Sequence, residues 1–382
     1  MPSLLKRLPL GAIVDVLMPV LAVLGALLVG ALMLIALGAN PVEAYGALLE
    51  GAFGSANAIA ETAVKATPLL LVGLGICISF RANVINIGGE GQMVVGALFA
   101  VAVALAAPNL PPLLLLPAVL LVGFLAGGLW GGIPGVLKAY LNVNEILSTI
   151  MLNIVAVQGM NFLLRGAMID PAEIEAGTRI PQTMRLSPAA DLPVLVPDTR
   201  LHLGVIIALV LAVFVYIFLW RTTIGYRIRA VGHNPEASRY AGINVKQYTV
   251  LALVLSGAFA GLAGAILVFG SESHRMVTDG SATGFTGSAG FNGIVAALFG
   301  GLHPLTTIPA SFLFGALLVG ANKLQRAVQV PAALIGALNG LVVIFVVSTD
   351  LIRRRLTQRR ALREPQPESE TRPPQTESSH AK

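Results

Sequence analysis

The side chains able to do chemistry in this chain are few, and most are neutral. Ser148, Thr149, Asn153, Gln158 and Asn161 fall within one apolar stretch, and Thr149 and Asn153 stand four apart, on one helix face. Amides and hydroxyls of this kind suit a polar, uncharged solute such as a sugar or nucleoside. Hydrogen bonding between helices accounts for them equally well. A second concentration is Phe80–Gln92, FRANVINIGGEGQ, which sets Asn86 and Glu90 among glycines. It is neither a dinucleotide fingerprint nor a phosphate loop, because no lysine stands between a glycine and a Ser or Thr. No Ser/His/Asp set, zinc-protease helix or intramembrane carboxylate pair is present. The five histidines are scattered and Cys77 is single, so no metal set, cofactor or intrachain disulfide is expected. A transport subunit fits better than an enzyme.

The positive charge gathers elsewhere. Arg221–Tyr248 is a basic island of 28 residues between two long apolar runs, with Arg221, Arg227, Arg229, Arg239 and Lys246 against one Glu. By the positive-inside rule it lies in the cytoplasm. Gly225, Gly232 and Gly242 punctuate it, and Asn234-Pro235-Glu236-Ala237 predicts a cap and the first turn of a short helix. A loop that only sets orientation needs neither cap nor spaced glycines, so the island is expected to meet another protein.

These segments are positioned by a membrane framework. Hydrophobic residues make up 55% and charged residues 12%, about half the charge of a soluble domain, at a mean hydropathy of +0.81. The pI near 9.7 does not indicate nucleic acid, since the basic residues sit at span ends, where they orient helices. The predicted fold is all-α, a polytopic integral membrane protein of about ten transmembrane helices, at Val16–Leu37, Ala66–Phe80, Gln92–Ala107, Leu113–Leu137, Ile146–Leu164, Leu201–Trp220, Thr249–Phe269, Ala289–Gly301, Leu305–Ala321 and Pro331–Ser348. Lys6 and Arg7 precede an uncharged run too long for a cleaved signal, so the first helix is read as retained. Asn40–Lys65 is expected to be an external amphipathic segment, Gly166–Arg200 and Ser271–Ser288 external loops. Residues 1–15 and both termini fall in the cytoplasm, 16–350 form the transmembrane domain with its cytoplasmic loop 221–248, and 351–382 form a disordered tail rich in Pro, Glu, Ser and Gln.

Two of the spans, Ala66–Phe80 and Ala289–Gly301, are short. Glycine-rich interruptions recur in matching places: Gly88–Gln92 leads into VGALF at Val95–Phe99, and Gly287–Gly293 leads into VAALF at Val295–Phe299. Such pairs point to broken helices in an inverted repeat, and to a transport site between them. The stripe of Ser256, Gly257, Ala260, Gly261, Gly264 and Ala265 is read as a close-packing helix face. An ion-coupled secondary carrier or channel would place an ionisable group inside the membrane. Here Glu90 and Glu145 are the nearest, and both are expected at cytoplasmic ends.

The stretches Gly225–Arg227, Ala230–Pro235, Ala241–Ile243 and Ser256–Gly264 resemble the coupling region of ATP-binding-cassette importer permeases of the branched-chain amino acid, ribose and nucleoside group. Phe80–Gln92, Asn144–Asn153, Gly293–Pro304, Gln325-Arg326 and Val330-Pro331 resemble its simple-sugar and nucleoside permeases. The likeness spans roughly residues 15–350; Asn292 departs from relatives with an acidic or bulky residue nearby, which leaves the solute open. The resemblance implies an inner-membrane importer: two permease subunits, identical or related, forming the pathway, two cytoplasmic ATPases, an external solute-binding lipoprotein, and lipid around them. It implies ATPase coupling through Gly225, Arg227, Gly232, Asn234, Pro235, Arg239 and Gly242. The substrate pathway would take Asn86, Glu90, Asn144, Thr149, Asn153, Gln158 and Asn292.

Overall fold

A computed structural model describes residues 24–271 and 273–330, with 337, 340, 341, 344 and 345 beyond them. Residues 1–15, the tail 351–382 and most of the helix expected at Pro331–Ser348 lie outside the described residues. Residues 30–339 form one compact unit; of the second unit, 1–29 with 340–382, only 24–29, 340, 341, 344 and 345 are described.

The described residues are helical, with two isolated β-bridges, Gln182 to Val277 and Val194 to His202, in place of strands. The helices are α1 (Leu24–Ala36), α2 (Pro41–Phe53), α3 (Ala56–Arg81), α4 (Gly89–Ala106), α5 (Pro112–Leu141), α6 (Glu145–Arg165), α7 (Pro171–Glu175), α8 (Gly204–Arg221), α9 (Thr223–His233), α10 (Pro235–Tyr240), α11 (Val245–Phe269), α12 (Ala282–Thr286), α13 (Ala289–Phe299) and α14 (Pro304–Val328). Seven of them, α3, α4, α5, α6, α8, α11 and α14, are long and apolar enough to cross a membrane; α1 and α13 are apolar but shorter.

The second span differs from its expected bounds. It does not start at Ala66 and is not short: α3 begins ten residues earlier, where Ser55 Oγ accepts the Ala58 amide at 3.1 Å. Lys65 lies exposed on its surface, and one snorkelling charge does not end a helix. The charge-free window measured hydrocarbon, not helix. Asn40–Lys65 is accordingly α2, capped by Asn40 on the Val42 amide, followed by the first turns of α3. By contrast α13 has 11 residues, about 16 Å against a hydrocarbon core of about 30 Å.

The core is made by three helices that nearly touch at their backbones. On α11, Gly261 faces Gly123 and Gly127 of α5 on one side and Gly96 of α4 on the other; a Cβ at Gly261 would overlap the Gly123 carbonyl. Gly264 is seated in the same way on Met93 of α4. The α11 stripe is thus a packing face, and its partner is a second stripe, Gly123-Gly127-Gly131, four residues apart on α5. α3, α4 and α11 are buried along most of their length, while only 28% of the most apolar stretch of α5, α6 or α8 is buried.

Chain direction alternates between two ends. At one end, Arg81 of α3 lies beside Trp220 of α8, Leu302 after α13 and α9, and Lys246 of α11 lies 4.9 Å over the Tyr140 ring of α5. At the other end, Glu61 of α3 pairs with Arg200 at 3.6 Å, and the Leu192 amide bonds the Phe269 carbonyl at 2.9 Å.

Candidate functional site

Two regions carry the residues singled out in the sequence. The first is the turn between α3 and α4. Asn86 Nδ2 donates to Gln92 Oε1 at 2.9 Å and to Ser256 Oγ at 2.8 Å, while its Oδ1 accepts from the Gly88 amide and from Gln92 Nε2. From α6, Asn153 clasps the turn with both ends of its amide: Oδ1 accepts the Gly91 N–H at 2.8 Å and Nδ2 donates to Ile87 O at 2.9 Å. Thr149 Oγ1 accepts the Ile87 N–H at 3.4 Å and donates to Glu145 O at 2.7 Å. Glu90 Oε1 accepts the Phe291 N–H at 3.1 Å. All of these polar side chains are buried. Buried polar groups need partners, and the network supplies them within the chain except at Glu90 Oε2, which is buried without a hydrogen-bond partner.

The turn is also deep. Gly89 packs on Val72 of α3, nine residues before its end at Arg81, which places it about 13 Å along the axis. Asn153 lies eight residues into α6 and Ser256 eleven into α11, giving similar depths. Glu90, expected at a span end, is therefore well inside, and 1% exposed. The local reason is the non-helical stretch 84–87, which separates α3 from α4 and lies against α6 and α11 through Ile87 and Asn86. Glu145 does sit at its span end, paired with Lys138 at 2.8 Å.

The other expected pathway residues lie elsewhere. Asn144 is exposed and caps α6, accepting from the Ile146 and Leu147 amides. Gln158 lies on the exposed face of α6 beside Asn161, whose amide reaches across to Gly280 O at 3.0 Å and Thr278 Oγ1 at 2.9 Å. Asn292 is half-buried at the start of α13, next to the residue that Glu90 holds. Sequence reasoning missed Gln92 and Ser256 as partners of Asn86. Gln92 had been noted only as the end of the glycine stretch, and Ser256 only as a small residue.

The second region is the hairpin α9–α10. Thr222 caps α9 through the Gly225 amide at 3.1 Å, and Asn234 caps α10 through the Ala237 amide at 2.9 Å, with Pro235 in the first helical position. Gly242, at φ 79°, lets the chain leave α10 in the left-handed region. The inner side is fastened. Ile228 and Val231 are buried, Gly232 is seated on the Arg81 carbonyl with no room for a Cβ, and Arg227 Nη1 donates to Tyr248 Oη at 2.8 Å. The outer side is bare: Tyr240 is 95% exposed, and Arg239, Glu236, His233 and Tyr226 are exposed with it. The sequence showed α10 and missed α9, although Ile224, Ile228 and Val231 stand at helical spacing.

At the end away from α9–α10 a cavity of about 440 Å³ is lined by Glu61, Lys65, Arg200, His202 and Arg275 over an apolar floor. Burial pushes the His202 imidazole below its ordinary pKa, and its Nδ1 accepts the Gly204 N–H at 3.1 Å. No group of three His, Cys, Asp or Glu placed to hold a metal occurs among the described residues.

A helical bundle with seven helices long and apolar enough to cross a membrane, a buried polar turn and one fastened, exposed hairpin is the architecture of a multi-span membrane protein. The chain belongs to the family described as branched-chain amino acid transport system / permease component, whose model matches residues 58–347. It is 36% identical to the guanosine ABC transporter permease protein NupP of Bacillus subtilis, over 88% of this chain and 94% of that one. It is 35% identical to the glucose ABC transporter permease protein TsgB13 of Haloferax volcanii, over 88% of each. To a second guanosine permease protein of Bacillus subtilis, NupQ, it is 30% identical over 67% of this chain and 79% of that one. No solved structure matches. The chain is thus an ABC-type permease subunit with multiple membrane spans.

Proposed function

We propose that this chain forms, with a second permease subunit, the membrane pathway of an importer for a nucleoside or simple sugar, driven by ATP hydrolysis on a separate cytoplasmic ATPase. The observation that carries the reading is the α9–α10 hairpin: capped, basic, anchored on its inner side and bare on its outer side. A surface of that kind, with an exposed tyrosine beside an arginine, suits a protein partner. On this reading Arg239 and Asn234–Tyr240 meet the ATPase, while Gly225, Arg227, Gly232 and Gly242 hold the hairpin in place.

The solute class follows from neutral polarity in the spans and from the names of the relatives, guanosine and glucose. The pathway side of the chain would be the exposed face of α6 with Gln158 and Asn161, continued by Asn292. The buried Asn86, Thr149 and Asn153 would then shape that side without touching solute. Two permease proteins named for guanosine in one organism, unequally similar to this chain, favour a related rather than identical second subunit. Ten crossings follow if α1, α13 and Pro331–Ser348 are added to the seven long helices, and an even number would leave both termini in the cytoplasm of a cell with an inner membrane. The cavity lined by Arg200 and Arg275 would open outward, where an external binding protein would deliver solute. The matching turns at Gly88 and Gly287 remain in this reading the two breaks of an inverted repeat.

One observation favours the competing reading of an ion-coupled carrier: Glu90 is an ionisable group well inside the bundle. Its Oε1 accepts the Phe291 amide, while Oε2 is buried without a hydrogen-bond partner. The test is co-purification of the ATPase with Arg239→Glu and Tyr240→Ala. Loss of the ATPase from a normally inserted permease is expected; undiminished co-purification and uptake would remove the docking role.

A further inference from the structure

The half-length helix α13 is held at both ends by groups from α3 and α4. At its start Ser288 supplies no side-chain cap, and the amide of Phe291, the third helical residue, is taken instead by the carboxylate of Glu90, 201 residues away in sequence. Gly290 lies so close to the backbone of Gly89 and Glu90 that no side chain would fit between them. At its other end, Leu302, in the left-handed region at φ 55°, offers its carbonyl to Arg81 Nη2 at 3.1 Å. The Arg81 guanidinium lies 5.1 Å over the Trp220 ring, which also carries Arg229 of α9 at 5.8 Å and meets the His303 ring at 4.9 Å. Gly232 of α9 is seated on the Arg81 carbonyl itself.

These contacts form one connected path: α9 presses on Arg81, Arg81 holds the turn that ends α13, and Glu90 holds the beginning. Between the two tethers, α13 rests on α3 through Gly293 against Val72 and Leu69. Only Pro304 of the next helix and the short α12 limit it along the chain. A buried carboxylate is costly unless it is satisfied, and the Phe291 amide on Oε1 is what holds this one, since Oε2 is buried without a hydrogen-bond partner. We propose that α13 is the moving half-helix of this permease, latched by Glu90 in the bundle interior and by Arg81 at the end beside α9, so that displacement of α9 releases it. Glu90 and Arg81 are positioning residues in this scheme, and neither needs to touch solute. The inference rests on the reading that α9–α10 receives a partner.

The chain carries its own reporter. Cys77, the single cysteine, is buried on α3 with Sγ 3.5 Å from Thr307 Oγ1, in the first turn of α14 just after the turn that ends α13. Methyl methanethiosulfonate, small and membrane-permeant, would label it only when that turn lifts. In the full permease–ATPase complex in vesicles, labelling is expected to quicken about fivefold on binding a non-hydrolysable ATP analogue. Glu90→Gln keeps the size and an acceptor oxygen but removes the charge, and is expected to give a similar, about fivefold, acceleration without nucleotide, the factor that corresponds to losing roughly 1 kcal/mol. It should also raise the ATP hydrolysed per solute imported. Cys77→Ser supplies the blank. The same labelling on the permease chain alone separates the two ideas: Glu90→Gln must quicken it there as well, whatever the ATPase does. An unchanged labelling rate for Glu90→Gln in both preparations, with the wild-type ratio of ATP to solute, would overturn the latch and leave Glu90 a static packing bond.

Discussion

The turn at Asn86–Gln92 and the hairpin α9–α10 are both short, polar, glycine-punctuated breaks between apolar helices, yet they end in opposite conditions. In the turn every amide finds a partner inside the chain: Asn86 with Gln92 and Ser256, Asn153 with Gly91 and Ile87. In the hairpin, capping satisfies the backbone while Arg239 and Tyr240 face outward. The difference follows from where each break lies. About 13 Å inside a bundle there is no water to complete a hydrogen bond, so polar residues must satisfy one another. At the bundle end water does this, and a charged surface can wait for another protein. Polar residues in a membrane protein therefore mark a partner, and depth decides whether that partner is internal.

The contrast can be broken at several strengths. The largest effect is expected at the glycine contact that packs α11 against α4 and α5. Gly261→Val forces a side chain into the Gly123 backbone, at a cost of about 3 kcal/mol or more, and the folded yield in detergent should collapse. Asn153→Leu strands the Gly91 amide and the Ile87 carbonyl and should cost roughly 2–4 kcal/mol, read as a lower unfolding temperature with uptake lost in proportion to folded protein. Lys138→Ala removes a partly exposed pair with Glu145 and should cost about 1 kcal/mol or less by the same measurement. Smallest for stability is Tyr240→Ala, within about 0.5 kcal/mol of wild type, yet it should reduce retained ATPase about tenfold. A destabilised Tyr240→Ala, or a fully stable Asn153→Leu, would erase the distinction between the two regions.

What was legible in the sequence was local. The cap at Asn234, the proline after it and the small-residue stripe on α11 depend on neighbours a few positions away, and the span at Leu201–Trp220 lies within three residues of α8. What was illegible was either masked or remote. Lys65 hid the first turns of α3, because a single charge at the helix surface interrupts a hydropathy window without interrupting the helix. The bond from Glu90 to Phe291 joins two stretches that the sequence had already paired for their glycines, but the contact itself depends on how α4 and α13 meet in space. The depth of Glu90 could not be read because nothing local shows that 84–87 lies against α6 and α11. The second glycine stripe on α5 stood at regular spacing and could have been found.

The central claim is that this chain opens a path that ATP hydrolysis on another chain drives. It is tested by uptake of guanosine and of glucose, the solutes named for two relatives, into vesicles holding the permease subunits, with and without the ATPase and a binding protein. The account predicts no accumulation when a proton or sodium gradient is imposed without the ATPase, and concentrative uptake when ATPase, binding protein and ATP are supplied together. Phosphate cradling needs backbone donors and a lysine, and the glycine turn offers only Glu90. Robust accumulation of either solute by the permease alone under an imposed gradient would contradict the account and assign Glu90 to an ion-coupled carrier instead.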